Sequence, residues 1–303
     1  MRTSATRIGR TVPTEFEGTV RAVWTRACAV SVDTTVPSEN DVALVTLVRE
    51  HVPMTAASIA LRLGPGYDFR VSGPAVGDHV RATQGELELC PDSPGEPKRV
   101  DLRGAIPYDG LAFPMPGPID SGLLRPIVDA ARRHRTTMSG CDALGRAAAD
   151  ACDALLDRLA LSVAEDDRAG AEQAARSLVG LGPGLTPSGD DMLCGFMLGR
   201  RVAGGPSRPP DEVVRTVASS AVGSTSDVSA VQLGLASRQR FGEALLEVAL
   251  ALYSGGAPSM GSSVARCLAE GATSGADGLL GLAAGMRTRD AFASAHGGIQ
   301  WCE

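Results

Sequence analysis

Gly180-Leu181-Gly182-Pro183-Gly184-Leu185-Thr186-Pro187-Ser188-Gly189-Asp190-Asp191 runs directly into the apolar stretch Met192-Leu193-Cys194-Gly195-Phe196-Met197-Leu198. Glycine allows positive φ or close approach to a ligand, and proline fixes φ, so these residues read as a stiff turn opening a buried helix. Ser188 is placed as the N-cap, with Asp190 and Asp191 in the first turn, where carboxylates favour the helix dipole. Unpaired amides at such a turn form an anion site. The plainer reading is a well-capped connector before a core helix.

Moving outward, Gly223-Ser224-Thr225-Ser226-Asp227-Val228-Ser229 and Gly271-Ala272-Thr273-Ser274-Gly275-Ala276-Asp277-Gly278 each precede another helical pattern. Hydroxyls and a carboxylate at one helix start need no explanation beyond capping. Together, the turns are expected to converge on a pocket for a small anionic or amide-bearing ligand. The candidate binding residues are Gly182, Gly184, Thr186, Ser188, Gly189, Thr225, Ser226, Ser229, Thr273, Ser274 and Asp277, with Asp190 and Asp191 as candidate catalytic carboxylates. Neighbouring helical residues point about 100° apart, so one of those two aspartates is expected to face the ligand. Orienting a substrate amide is preferred to binding a divalent cation, although carboxylates and phosphate share such ions readily. No metal-ligand set is assigned.

The turn sits within a helical half. Leu123, Ile127, Val128 and Ala131 fall at helical spacing, and Leu144, Ala148, Cys152, Leu155 and Leu159 continue it with Asp150, Asp153, Asp157 and Arg158 off that face. Further alanine-rich helices are expected over 168–178, 190–202, 211–221, 228–236, 241–253, 262–270 and 277–286. The other half is β. Runs at 19–24, 28–32, 42–48 and 57–63 are strand-like, and 76–83 with 85–89 reads as a hairpin. Gly64-Pro65-Gly66 is a turn between strands, and residues 90–99 read as a loop. The expected fold is α+β: a disordered N-terminus at 1–15, a small β-barrel or sandwich at 16–117, and an all-α bundle at 118–303. The proline-rich stretch Phe113-Pro114-Met115-Pro116-Gly117-Pro118 marks the boundary.

A chain of 303 residues can bury two cores. Its net charge of −6 argues against nucleic acid as a partner. Lys98 is the sole lysine, which removes Schiff-base and P-loop lysine chemistry elsewhere. The seven cysteines are scattered without a C-x-x-C pair, so reduced thiols in a cytoplasmic protein are expected, with neither a disulfide framework nor a zinc site. Residues 1–13 lack the apolar segment of a secretory signal, and no membrane span is expected. Self-association is left open. His79 is read as structural, and Cys194 as a core residue rather than a nucleophile. His134 lies in a basic run, Arg132 to Arg135, read as exposed and solvated; His296 finds no place. No Ser-His-Asp arrangement is indicated.

The stretch from Gly182 to Asp191 resembles the signature of the DUF2877 family, which includes AllH, a subunit of oxamate carbamoyltransferase. The resemblance extends to residues 225–229 with Leu233 and Ala236, and to Thr273-Ser274-Gly275-Ala276-Asp277. It departs at Ala276, where a bulkier residue is expected, and in the glycine- and proline-rich stretch 200–210. The resemblance implies carbamoyl transfer in purine (allantoin) degradation, with oxalurate and phosphate exchanging with oxamate and carbamoyl phosphate. It also implies partner subunits of FdrA-like and DUF1116-like type. A noncatalytic scaffold or regulatory subunit is the rival reading, and a standalone metal-dependent hydrolase using Asp190 and Asp191 is a third.

Overall fold

Alternation of inward and outward residues builds the first half. In β2 (Phe16–Val23), Phe16, Gly18 and Val20 are buried and Glu17 and Arg21 are exposed. In β6 (His79–Thr83) and β7 (Glu86–Cys90), Val80, Ala82, Leu87 and Leu89 point inward. The two pair antiparallel, from His79 opposite Cys90 to Thr83 opposite Glu86, around Gly85, whose φ of +89° suits glycine. His79, read as structural, is exposed on β6. β3 (Ala27–Ser31), β4 (Leu44–Arg49) and β5 (Ser58–Leu61) are more fully buried, and Met54 packs over Val48 and Ala60 on a second face. The computed structural model describes residues 2–33, 42–64, 66–92, 95–112, 121–138, 143–204, 208–253 and 257–295.

The strands close into a ring in the order β1-β5-β4-β3-β2-β6-β7-β8, with β8 (Lys98–Asp101) returning to β1 (Arg2–Gly9). A ninth strand, β9 (Ile106–Tyr108), continues along β1 beyond β8. Closure leaves few open edges, and the result is a barrel rather than a sandwich. The expected disorder at 1–15 is therefore corrected. β1 is polar, with Ala5 as its main buried apolar side chain, because backbone pairing to β5, β8 and β9 holds it. The loop expected over 90–99 is shortened in the same way: Cys90 ends β7 and Lys98 starts β8. Pro65, in the middle of the expected Gly64–Gly66 turn, lies outside the described residues.

The chain divides into two compact units, Met1–Gly110 and Leu111–Glu303. The boundary expected at residue 117, like the proline-rich stretch around it, lies outside the described residues. The second unit is helical. It comprises α2 (Leu124–Met138), α3 (Ala143–Ala164), α4 (Arg168–Leu178), α5 (Ser188–Ala203), α6 (Pro209–Ser219), α7 (Asp227–Ser237), α8 (Glu243–Tyr253), α9 (Ala257–Leu268) and α10 (Ser274–Ala295); a short α1 (Phe69–Ser72) belongs to the barrel unit. The ends of α9 and α10 differ most from expectation: α9 starts five residues earlier, and α10 runs nine residues further, because hydrogen bonding carries a helix beyond its apolar positions.

The centre of this unit is the pair α5 and α10. Every residue from 275 to 286 is buried, as expected of a helix apolar on all sides. Glycine makes the approach feasible. A Cβ on Gly195 would lie 2.0 Å from the Gly278 carbonyl oxygen, and one on Gly281 would lie 2.1 Å from that of Met192. At the far end of α5, Arg200 grips Asp211 of α6 at 2.8 and 3.0 Å and donates to Thr288 of α10 at 2.7 Å. That paired charge fixes the helices' register where the packing is otherwise smooth and apolar.

Candidate functional site

The N-terminus of α5 is built without a side-chain cap. Pro187 holds the cap position at φ −52°, ψ 140°, and Ser188 is the first helical residue, so the expected Ser188 cap is corrected. The cause is the proline, whose fixed φ places the extended residue one position earlier. The Pro187 carbonyl accepts from the amides of Asp190 and Asp191 at 3.0 and 3.2 Å.

Asp190 reaches backward instead. One carboxylate oxygen accepts the Gly180 amide at 2.9 Å, and the other accepts the Thr225 hydroxyl at 2.5 Å. Gly180 has φ +72°, and a Cβ there would come within 2.5 Å of the Ser224 carbonyl, so the first and second turns press together. Ser226 caps α7, accepting the Ser229 amide at 3.1 Å, and its hydroxyl donates to the Leu185 carbonyl. Thr186 and Ser274 share a 2.6 Å hydroxyl hydrogen bond that joins the first turn to the third. The three turns thus meet at one place, as their composition led us to expect.

The surface of this junction is the loop 182–186. Gly182 and Gly184 have φ of +119° and +103°, and Pro183 to Leu185 are exposed. Among the described residues, the backbone amides of Gly182, Gly184, Leu185 and Thr186 make no hydrogen bond. Donors left open on a preshaped, partly exposed loop are what an oxyanion needs.

Beneath the loop lie carboxylates. Asp190 is 2%, Asp191 8% and Asp277 0% exposed. One oxygen of Asp191 and both of Asp277 lack a partner in hydrogen-bond geometry, as does the wholly buried Ser229 hydroxyl. Arg135 Nε stands 3.2 Å from Asp277, an ion pair by distance that is misaligned as a hydrogen bond. The same guanidinium meets Asp153 at 2.6 Å. Burial raises all three carboxyl groups above the usual range. For Asp190 it is opposed by the Thr225 hydroxyl, the Gly180 amide and the nearby Ser229 hydroxyl. For Asp191 it is reinforced by the charge of Asp277 and opposed by the Ser274 and Thr186 hydroxyls. Asp277 is pushed up to about 6, burial outweighing Arg135 and the nearby Ser188 and Thr273 hydroxyls.

The expected residues therefore divide by position. Thr186 is bonded to Ser274, Asp190 to Thr225, and Ser226 to the Leu185 carbonyl, and Asp191 and Asp277 lie below them. Ser188 and Thr273 act on Asp277. Gly189 is a packing residue: it is buried, its amide bonds to the Leu181 carbonyl at 2.9 Å, and a Cβ there would meet the Leu178 carbonyl at 2.0 Å. Asp190 has both oxygens engaged, whereas Asp191 keeps one unpartnered.

Arg135 is the residue the charge run concealed. It is 7% exposed, not solvated, while Arg132 and Arg133 are exposed. Its spacing was the available signal, since Leu124, Val128, Ala131 and Arg135 fall on one helical face. His134 Nε2 lies 2.9 Å from the Ala272 carbonyl; the carbonyl only accepts, which places the proton on Nε2. Cys194 is a core thiol, pushed up by burial and then by the charge of Asp191. Among the described residues, no group of three or more His, Cys, Asp and Glu is arranged to hold a metal ion. No helix among them is long and apolar enough to cross a membrane. His296 lies outside the described residues.

Fold and site together define an α+β protein, a β-barrel followed by a helical unit that gathers hydroxyl-bearing turns over buried carboxylates. Residues 178–286 match the family described as oxamate carbamoyltransferase subunit AllH, a span that contains all three turns and agrees with the resemblance read from them. No curated protein and no solved structure matches the chain.

Proposed function

We propose that this chain is a subunit of a carbamoyltransferase and that the loop before α5 binds its small anionic substrate. The observation that carries the reading is the pairing of unbonded amides at 182–186 with an unpartnered oxygen of Asp191 just inside the same turn. The amides take a phosphoryl or carboxylate group, with Thr186, Ser188, Thr225, Ser226, Thr273 and Ser274 around it. Asp191 accepts an N–H of the carbamoyl group. Asp190 holds the turn in shape, and Asp277 with Arg135 sets the charge beneath it.

The reaction is the one the family description suggests. A phosphate oxygen attacks the ureido carbonyl of oxalurate; the C–O bond forms, the C–N bond to oxamate breaks, and the oxamate nitrogen takes a proton. Stabilising the developing oxyanion at preorganised amides is the main catalytic contribution of such a loop. Purine degradation, a cytoplasmic setting, and FdrA-like and DUF1116-like partner subunits belong to the same proposal. The cysteines described as free suit a reducing compartment.

The test is phosphate-dependent oxalurate cleavage by the purified chain, with and without the partner subunits. Thr186→Ala and Asp191→Asn are expected to reduce turnover by at least about 100-fold, the scale of losing one oxyanion donor, with assembly intact. Unchanged turnover in both variants would sink the assignment. A second reading, a noncatalytic subunit, draws on the engagement of Asp190, Thr186 and Ser226 with other protein groups. It requires the reverse result: variants that lose partner binding while the remaining subunits stay active alone.

A further inference from the structure

A cleft of about 300 Å³ opens between α2 and α3, lined by Arg132, Arg135 and Thr136 on one side and Arg146, Asp150 and Asp153 on the other. We propose that it binds a small oxyanion, a carboxylate or phosphate, through the guanidinium groups of Arg132, Arg135 and Arg146. Arg132 and Arg146 are exposed on its two walls, with the buried Arg135 between them. Guanidinium groups present planar forks of donors that match carboxylate and phosphate oxygens in pairs.

Arg135 makes this more than a charged surface. Its side chain is 8% exposed, and it is held between Asp153 at 2.6 Å and Asp277 at 3.2 Å. A donor fixed in advance loses little freedom on binding. Asp153 is 37% exposed and sits on the cleft wall, so an incoming anion meets Arg135 where that carboxylate now does. The volume is at the small end of ligand sites and suits a compact metabolite. The site shares Arg135 with the proposed transferase site but uses none of the loop residues at 182–186, and its test leaves Arg135 unchanged.

The experiment is calorimetric titration of the full chain with inorganic phosphate and, separately, with oxalate, at ionic strength held constant with sodium chloride. The comparison is wild type against the double variant Arg132→Ala/Arg146→Ala, with Arg158→Ala/Arg176→Ala, two exposed arginines outside the cleft lining, as a charge-matched control. Saturable binding of at least one anion is expected, weakened at least about tenfold in the double variant and within about twofold of wild type in the control, where tenfold is ~1.4 kcal/mol. Which anion binds tells the carboxylate source from the phosphate source. Binding that the double variant leaves unchanged would overturn the cleft and point to the loop instead. No saturable binding of either anion would overturn it as well.

Discussion

A carboxyl group that titrates near neutrality inside a helical core makes stability depend on pH in an unusual direction. Asp277 rises from an ordinary value near 3.8 to about 6 because burial disfavours its charged form more than Arg135 restores it. The folded state therefore holds this proton more tightly than the unfolded chain. The contribution is fully present below about pH 4 and is lost as pH rises through about 6, amounting to roughly 3 kcal/mol. Asp277→Asn carries no such charge, so its stability relative to wild type should climb between pH 4 and 6 and level off above. Urea midpoints of both proteins across that range measure it, and a relative stability falling with pH would refute the assignment. The residue scale is also where the sequence misleads most. Arg135 sits among arginines that are solvated, and its burial follows from a helical spacing that the neighbouring charges obscure.

At the scale of elements, the junction depends on how closely α5 and α10 approach, because that brings Asp191 toward Asp277. Gly195→Ala would drive a methyl group to 2.0 Å from the Gly278 carbonyl oxygen, a backbone atom that cannot swing aside. About 1–3 kcal/mol of destabilisation is expected. Gly234 in α7 has open space where its Cβ would be, so Gly234→Ala should stabilise by about 0.5–1 kcal/mol. Chemical denaturation of the two variants reads both signs; equal effects would mean that the close approach does not matter. These helices were legible from apolar period and alanine content, and α4 was read with its observed ends. The meeting of their N-termini was suggested only by composition. It is a tertiary fact, made by contacts such as Thr186 with Ser274 that join residues far apart in the chain.

At the scale of the whole molecule, each unit carries its own buried set. Leu47 is fully buried in the barrel and Leu282 is 1% exposed in the helical unit. Two cores predict unfolding that departs from a single two-state transition. Leu47→Ala and Leu282→Ala, each costing about 2–5 kcal/mol, should lower different components of the calorimetric trace. A single transition shifted equally by both would show one cooperative unit. The division into a β half and a helical half was readable because the period of the apolar residues changes from two to about 3.6. Barrel closure was not readable, since β1 has too few apolar residues to announce itself.

That closing strand has a consequence for assembly in time. β1 lies beside β8, with Arg2 opposite Arg99, so the ring cannot shut until nearly all of its strands exist and the ends of a long loop have found each other. Contacts so distant in sequence slow folding, because chain entropy is lost before any pairing rewards it. Until then β5 and β8 each show an unsatisfied edge, and the barrel half is the part of a newborn chain most in need of protection from stray strand pairing. The helical half, with several neighbouring helices packed on one another, carries less of that burden.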